Sequence, residues 1–286
     1  MWHPVLGYEV VKDCMGVNKF QALRSVIHFN DNSTAKEPTD PDRDRLFKIR
    51  PLIEYLNQRF LSVPMRPTLS VDEQICATKT RHHMRQYNPR KPHKWGYKLF
   101  VICDDNGYAY KFEIYCGQEP PKLQNEPQLG TTGNIVVRLA REVPRNLNYT
   151  IYCDNYYSSI PLFGYLNKEG ILMLGTFRQD RLPDFPLPPK KEMRKTNRGS
   201  TEEYTTTEND SCISIVTWHD NDVVTIGSTF CGALPMETIQ RYDRKEKQYI
   251  VIQCPKIVKI YNKHMGGVDL MDSHIGMHHI KIKSKK

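Results

Sequence analysis

Three aspartates of this sequence share one kind of setting. Each has apolar residues on one side and small or turn-forming residues on the other, as when a carboxylate is held at the rim of a packed core. Three such carboxylates that met in space would bind hard divalent cations, and the basic residues around them favour a phosphate-rich substrate. The pattern therefore predicts metal-dependent chemistry on DNA. The three are Asp72 in Leu69–Gln74, Asp154 in Ile151–Ser159, and Asp269 in Met265–Asp272.

The separation of these aspartates along the chain does not bring them together, so the fold must do so. If it does, they can bind two Mg²⁺ ions about 3.5–4 Å apart, which activate a nucleophile and stabilise the leaving oxygen at phosphorus. Asp72 is expected to bridge both ions, while Asp154 and Asp269 each complete one site. Asp272, on the same helical face as Asp269, is expected to assist as an outer-shell ligand.

Each of these aspartates could instead have a purely structural role, because an aspartate at a strand end more often forms a turn or caps a helix. Four other aspartates fit that alternative well, since they lie in predicted hairpin turns. They are Asp104, Asp105, Asp220 and Asp222.

A basic run between Lys79 and Lys98 contains no acidic residue and includes interleaved aromatic residues. Cations on phosphates and aromatic rings against bases or sugars are typical of a nucleic-acid groove. The alternative is a solvated loop whose tryptophan belongs to the core. The short basic tail, Lys281–Lys286, could likewise be a solvated end. The predicted DNA contacts are Lys79, Arg81, Arg85, Arg90, Lys91, Lys94, Trp95 and Lys98.

Composition sets broad bounds on the class of protein. The 286 residues include 41 Lys and Arg against 32 Asp and Glu, a net charge of +9, and 39% are hydrophobic, which predicts a globular protein with polyanionic partners. No apolar run is long enough to cross a membrane, and the first residues do not resemble a signal peptide. The eight cysteines lack the short spacing of a zinc site and predict buried, reduced thiols of an intracellular protein.

The elements that must position the carboxylates follow from periodicity and turn residues. Helices are predicted over 17–29 and 48–60, then a strand over 68–72 with Asp72 near its end. Further strands are predicted over 98–103, 108–115, 149–153, 171–177, 213–218, 223–227 and 249–254, the last being either the end of an insertion or a return to the core. Further helices are predicted over 131–142, 158–168, 256–264, with Pro255 at its first position, and 268–274.

This order predicts a mixed α/β fold with both parallel and antiparallel pairing. Asp72 and Asp154 are both expected at the carboxyl ends of strands, beyond which the sites of open α/β sheets lie.

Five segments, in order and over nearly the whole chain, resemble the transposase domain of the piggyBac family. The last of them contains Asp269 and Asp272. The segments are Ile27–Asn32, Ser70–Gln74, Tyr87–Lys98, Cys153–Ser158 and Tyr261–Asp272.

The resemblance implies an RNase H-like catalytic core whose aspartate triad corresponds to Asp72, Asp154 and Asp269, with Asp272 as a further acidic residue. It implies Mg²⁺-dependent cleavage of double-stranded transposon ends and strand transfer at TTAA sites, a homodimer, no membrane association and a nuclear location. The implied domains are a helical dimerisation and DNA-binding region over 1–66, the first part of the core over 67–179, an insertion over 180–248, and a return to the core over 249–286.

The sequence also departs from the family pattern. Family members continue beyond the last shared motif with further helices and usually a cysteine-rich zinc module, which predicts that this chain is a fragment, a truncated product or a decayed element, and inactive if truncated. A domesticated DNA-binding or chromatin protein without catalysis is the main alternative. A carboxylate-based sugar hydrolase is a third, which the basic run disfavours.

Overall fold

The computed structural model of the protein describes residues 2–89, 91, 94–117, 126–183, 185–243 and 246–278. The chain divides into two units, Met1–Arg59 and Phe60–Lys286. Within the described residues no helix is both long and apolar enough to span a bilayer.

The first unit is helical. Both helices that the sequence predicts in this region form, and the second begins in a 3₁₀ turn over Phe47–Ile49. The first predicted helix ends at Val26, before His28 and Phe29. The helices are α1 (Glu9–Cys14), α2 (Val17–Val26) and α3 (Arg50–Phe60), whose last residue falls in the second unit.

The second unit is built on a nine-stranded mixed sheet with the strand order β2-β3-β1-β5-β6-β9-β8-β7, in which β4 also pairs with β3. The strands are β1 (Thr68–Ala77), β2 (Gln86–Tyr87), β3 (Trp95–Asp104), β4 (Ala109–Ile114), β5 (Thr150–Cys153), β6 (Leu172–Phe177), β7 (Thr201–Glu208), β8 (Ser211–His219) and β9 (Val223–Ser228). A separate two-stranded sheet joins β10 (Glu237–Asp243) and β11 (Gln248–Cys254).

Helices flank this sheet because its central strands are apolar on both faces. Ile151 of β5 packs in one hydrophobic cluster and its neighbour Tyr152 in another, as the alternation of a strand requires. The helices are α4 (Gly130–Leu139), α5 (Ile160–Lys168), α6 (Lys190–Met193), α7 (Lys256–His264) and α8 (Gly267–Met277). The first cluster contains residues of α4 and α5, and the second contains residues of α7.

Strands β7, β8 and β9 lie in the segment predicted as an insertion, and β9 pairs with β6 of the core. They therefore extend the main sheet, and the second predicted hairpin forms between β8 and β9. The predicted domain boundaries, after residues 66, 179 and 248, stay predictions. Strand β11 pairs with β10 away from the main sheet.

Three local predictions are wrong. Strand β1 does not end at Asp72 but continues to Ala77, because residues beyond Asp72 still pair with β3. Pro255 is the N-cap of α7 and precedes its first helical position. Of the eight cysteines, all of which lie in the described ranges and none of which forms a disulfide, Cys14, Cys76 and Cys212 are exposed.

Candidate functional site

Asp72 and Asp154 are brought together by parallel pairing of β1 and β5. The last pair of that ladder is Val71 with Cys153, and each aspartate is the next residue of its chain. Beyond this point β5 ends and β1 goes on with β3 alone, so the two carboxylates lie where the parallel ladder stops. The sequence predicted Asp72 at the carboxyl end of its strand, whereas it lies inside β1, where the parallel pairing with β5 ends.

The turn after β5 holds Asp154 in place. Its carboxylate Oδ1 accepts a hydrogen bond from the backbone N–H of Tyr156 at 2.9 Å, and its carbonyl accepts from the Ser158 hydroxyl at 3.0 Å. The guanidinium of Arg181 donates to the carbonyls of Asn155, Tyr156 and Ser158 at 3.0, 3.0 and 3.2 Å. Arg181 therefore anchors the whole turn, a contribution that its sequence context did not suggest.

The pKa values of both carboxylates are raised. Burial raises the pKa of Asp72 from 3.8 to about 7, against a hydrogen bond from the Glu73 amide, and the negative charges of Glu73 and Asp154 add to the rise. Burial likewise raises the pKa of Asp154. Because burial disfavours the charged form of both groups, a bound cation would stabilise them as carboxylates.

Helix α8 brings the remaining acids over the same face of the sheet. Val268 and Met271 pack against Val101 and Cys103 of β3, and this fixes which side of the helix faces the strands. A Cβ on Gly267 would overlap the carbonyl oxygen of Asp104, so only glycine allows this close approach.

Asp272 and Asp269 have different environments on α8. The Gln74 side chain hydrogen-bonds to Asp272, whose pKa is raised chiefly by burial. Gln74 lies two residues after Asp72 on β1, so both side chains are on the same face of the strand. The alternation of a β-strand made this placement predictable from the sequence. Asp269 is 72% exposed and pairs with the Lys91 ammonium at 3.4 Å.

The four acids lie in one region of the protein but do not surround a single metal position. Among the described residues, no three His, Cys, Asp or Glu side chains converge as a metal-binding group. The donor set itself fits a divalent cation, since it offers only carboxylate oxygens and carries excess negative charge. The residues that would hold such an ion are therefore Asp72, Asp154, Asp269 and Asp272.

The predicted DNA contacts divide into two groups. An open cleft of about 1050 Å³ runs beside the acids and is lined by five of the eight: Lys79, Arg85, Lys91, Lys94 and Trp95, together with Asp269 and Asp272. The Arg85 guanidinium lies over the Trp95 ring at 4.0 Å, and this ring is 45% exposed rather than part of the core. The cations and the acids of α8 thus share one surface.

The other three predicted contacts lie elsewhere. Arg81 is exposed but does not line the cleft, and Arg90, like the basic tail over 281–286, lies outside the described residues. Lys98 is largely buried, with its ammonium 3.6 Å from Glu73 and 4.5 Å from the Tyr156 ring centre. Lys98 therefore neutralises the site beside Asp154, and Glu73 is a fifth acid that sequence reasoning left without a role.

The four aspartates assigned to turns have structural partners. Asp104 accepts hydrogen bonds from the backbone amides of Asn106 and Tyr108, both at 2.9 Å, within the predicted hairpin turn. Asp220 bonds to two arginines, at 2.5 and 2.9 Å. Asp105 pairs with Arg66, and Asp222 pairs with Arg194.

Comparison with known proteins agrees with this architecture. The family model described as Transposase IS4 matches residues 1–286. The chain belongs to the piggyBac-type transposase family. It is 31% identical over 278 residues to human PiggyBac transposable element-derived protein 3, covering 97% of this chain and 46% of that protein. It is 30% identical over 286 residues to human PiggyBac transposable element-derived protein 2, covering 99% and 47%. The piggyBac-type chain thus spans about half the length of these relatives.

A solved structure shows the same fold. The piggyBac-type chain is similar to the cryo-EM structure of a piggyBac transposase synaptic complex with hairpin DNA, with a TM-score of 0.69 and 22% identity over 95% of this chain and 52% of that chain. The predicted fold class is confirmed: a mixed α/β protein with an RNase H-like core.

Proposed function

We propose that this piggyBac-type domain cleaves and joins DNA strands at TTAA sites with two Mg²⁺ ions. The observation that carries the proposal is the placement of Asp72 and Asp154 at the end of one parallel ladder, beside a cleft that α8 lines with Asp269 and Asp272. Carboxylates and phosphate-binding cations on one surface are what metal-dependent chemistry at phosphorus requires.

The side chains have distinct roles in this proposal. Asp72, on the central strand, would hold both ions, while Asp154 and Asp269 would each hold one and Asp272 would assist. Bound Mg²⁺ would polarise the phosphodiester and lower the pKa of the attacking water or hydroxyl. The Arg181 clamp keeps the Asp154 turn in one geometry. Lys79, Arg85 and Lys94 contact phosphates along the cleft, and Trp95 offers an exposed ring to a base or sugar.

The test is Mg²⁺-dependent cleavage of a duplex that carries a terminal repeat next to TTAA, using the full chain. Asp154→Asn removes one ligand and keeps the size of the side chain, so cleavage should fall by at least about 1000-fold while duplex binding persists. Cleavage at the same rate by the Asp154→Asn protein would rule out the proposed site.

A second candidate is a DNA-binding protein that has lost catalysis. Two observations favour it. The relatives are human transposable element-derived proteins, and among the described residues no three acidic side chains converge on one metal position. This candidate predicts salt-dependent duplex binding that survives Asp72→Ala, with no cleavage by the unmodified chain at any Mg²⁺ concentration.

Partners and location follow as further proposals. Double-stranded DNA is supported by the basic cleft and by the hairpin DNA in the similar structure. A homodimer and a nuclear location rest on the family resemblance alone. Light scattering of the purified chain and microscopy of a fluorescent fusion would test them.

A further inference from the structure

Lys91 differs from the other cations of the cleft because its ammonium is directed at the acids. Its Nζ lies 3.4 Å from Oδ1 of Asp269, and only 25% of its side chain is exposed. The negative charges of Asp269, Asp72 and Asp272 all act on this ammonium. One lysine therefore interacts with three of the four proposed metal ligands.

The other lysines that line the cleft do not share this arrangement. Within the described part of the chain, neither Lys79 nor Lys94 is paired with a carboxylate within 4.0 Å, although both border the same cleft. Lys98 pairs with Glu73 instead, on the side of Asp154. Lys91 is thus the cation at the junction between the acids of β1 and those of α8.

A single positive charge beside several carboxylates stabilises them when no metal is bound. It also opposes a divalent cation, since an ammonium and a metal ion compete for the same oxygens and repel each other. Lys91 lies on the cleft wall, and its partner Asp269 is exposed. Its flexible side chain can therefore turn from Asp269 toward a DNA phosphate in the cleft.

We propose that Lys91 is an internal counter-ion of the carboxylate site. A divalent cation displaces its ammonium, which then contacts the DNA backbone. This inference rests on the proposed metal site. It makes metal and DNA binding mutually favourable, because the metal releases a phosphate-binding cation and DNA holds that cation away from the acids.

Metal binding without DNA is the first measurement. Mn²⁺ serves as the probe, titrated against the full chain by calorimetry, with unmodified, Lys91→Gln and Lys94→Gln proteins. Lys91→Gln should bind Mn²⁺ roughly three- to tenfold more tightly, since the competing charge is gone. Lys94→Gln, the matched control, should bind Mn²⁺ like the unmodified chain.

Amine labelling separates displacement from simple repulsion. An acylating reagent followed by peptide mass spectrometry reports the reactivity of each lysine, and Mn²⁺ should make Lys91 react faster while Lys94 stays unchanged. Duplex binding adds a third readout in Ca²⁺: the loss caused by Lys91→Gln should grow when Ca²⁺ is added, whereas the loss caused by Lys94→Gln should not.

The outcomes distinguish this inference from the function on which it rests. Tight Mn²⁺ binding with unchanged Lys91 labelling, or with equal affinities of the unmodified and Lys91→Gln proteins, overturns the counter-ion role and leaves the metal site standing. Failure of both proteins to bind Mn²⁺ overturns the two together.

Discussion

Asp72 and Asp154 extend the same rung of a parallel ladder, since each directly follows one member of the Val71–Cys153 pair. The two carboxylates are held close by backbone pairing, and neither can move away without disturbing the central strands of the sheet. Burial, with smaller contributions from the negative charges of Glu73 and Asp154, makes ionisation of Asp72 costly and raises its pKa.

This cost leads to a prediction for the metal-free protein. The pKa of Asp72 is raised from 3.8 to about 7, so the folded state binds a proton more tightly than the unfolded state, and stability falls as pH rises between these values. Asp72→Asn removes the charge. The variant should therefore melt at a higher temperature than the unmodified protein at pH 8 in EDTA, with the gain shrinking toward pH 5.

Asp269→Asn is the control for that experiment, because this side chain is 72% exposed and its loss should change the melting temperature little at either pH. An Asp72→Asn protein that is less stable than the unmodified chain at pH 8 would show that Asp72 is not held at an electrostatic cost.

Helix α8 offers a matched pair of glycines. A Cβ at Gly267 would overlap the Asp104 carbonyl and lie 2.5 Å from the Ser70 hydroxyl, whereas a Cβ at Gly276 meets nothing within 4 Å. Gly267→Ala should destabilise the fold by about 1–3 kcal/mol and shift α8, weakening Mn²⁺ binding. Gly276→Ala should be neutral or stabilising by up to about 1 kcal/mol, because alanine favours helix. Urea unfolding of the two variants measures both effects, and equal stabilities would contradict the close packing of α8.

Arg181 is expected to act on the site through the Asp154 turn. Arg181→Ala removes three hydrogen bonds to turn carbonyls, so Mn²⁺ affinity and cleavage should fall about 10- to 100-fold. Arg178→Ala is the control for Mn²⁺ affinity, since its guanidinium pairs with exposed Asp180. A metal affinity unchanged by Arg181→Ala would mean that the turn holds its shape without the clamp.

Arg138 carries a prediction about stability away from the site. Its guanidinium makes two bonds of 2.8 Å to Glu113 and one of 2.7 Å to Glu126, and only 10% of its side chain is exposed. Arg138→Met removes a buried guanidinium from two acids and should cost about 3–5 kcal/mol in urea unfolding. Arg194→Met breaks an exposed pair with Asp222 and should cost under about 1 kcal/mol. A similar small loss for both would show that the buried network contributes little.

The elements around the site were predictable where local patterns are strong. The hairpin across Asn106-Gly107 and strand β5 before Asp154 form as expected, because turn residues and apolar runs determine them locally. The end of β1 was not predictable, since only pairing with β3 carries that strand past Asp72. Likewise β7, a run of Thr and Glu around Tyr204, has no apolar pattern of its own and is defined by β8.

The sequence by itself determined which carboxylates and cations could do chemistry, and the local elements that carry Asp72, Asp154 and Asp269. Tertiary structure alone decided their partners. It directed Lys91 to the acids and Lys98 to Glu73, although both belong to one basic run. The physical reason is that the sequence of a segment gives only the number of its cations. Strand register and helix packing determine which oxygen each cation contacts.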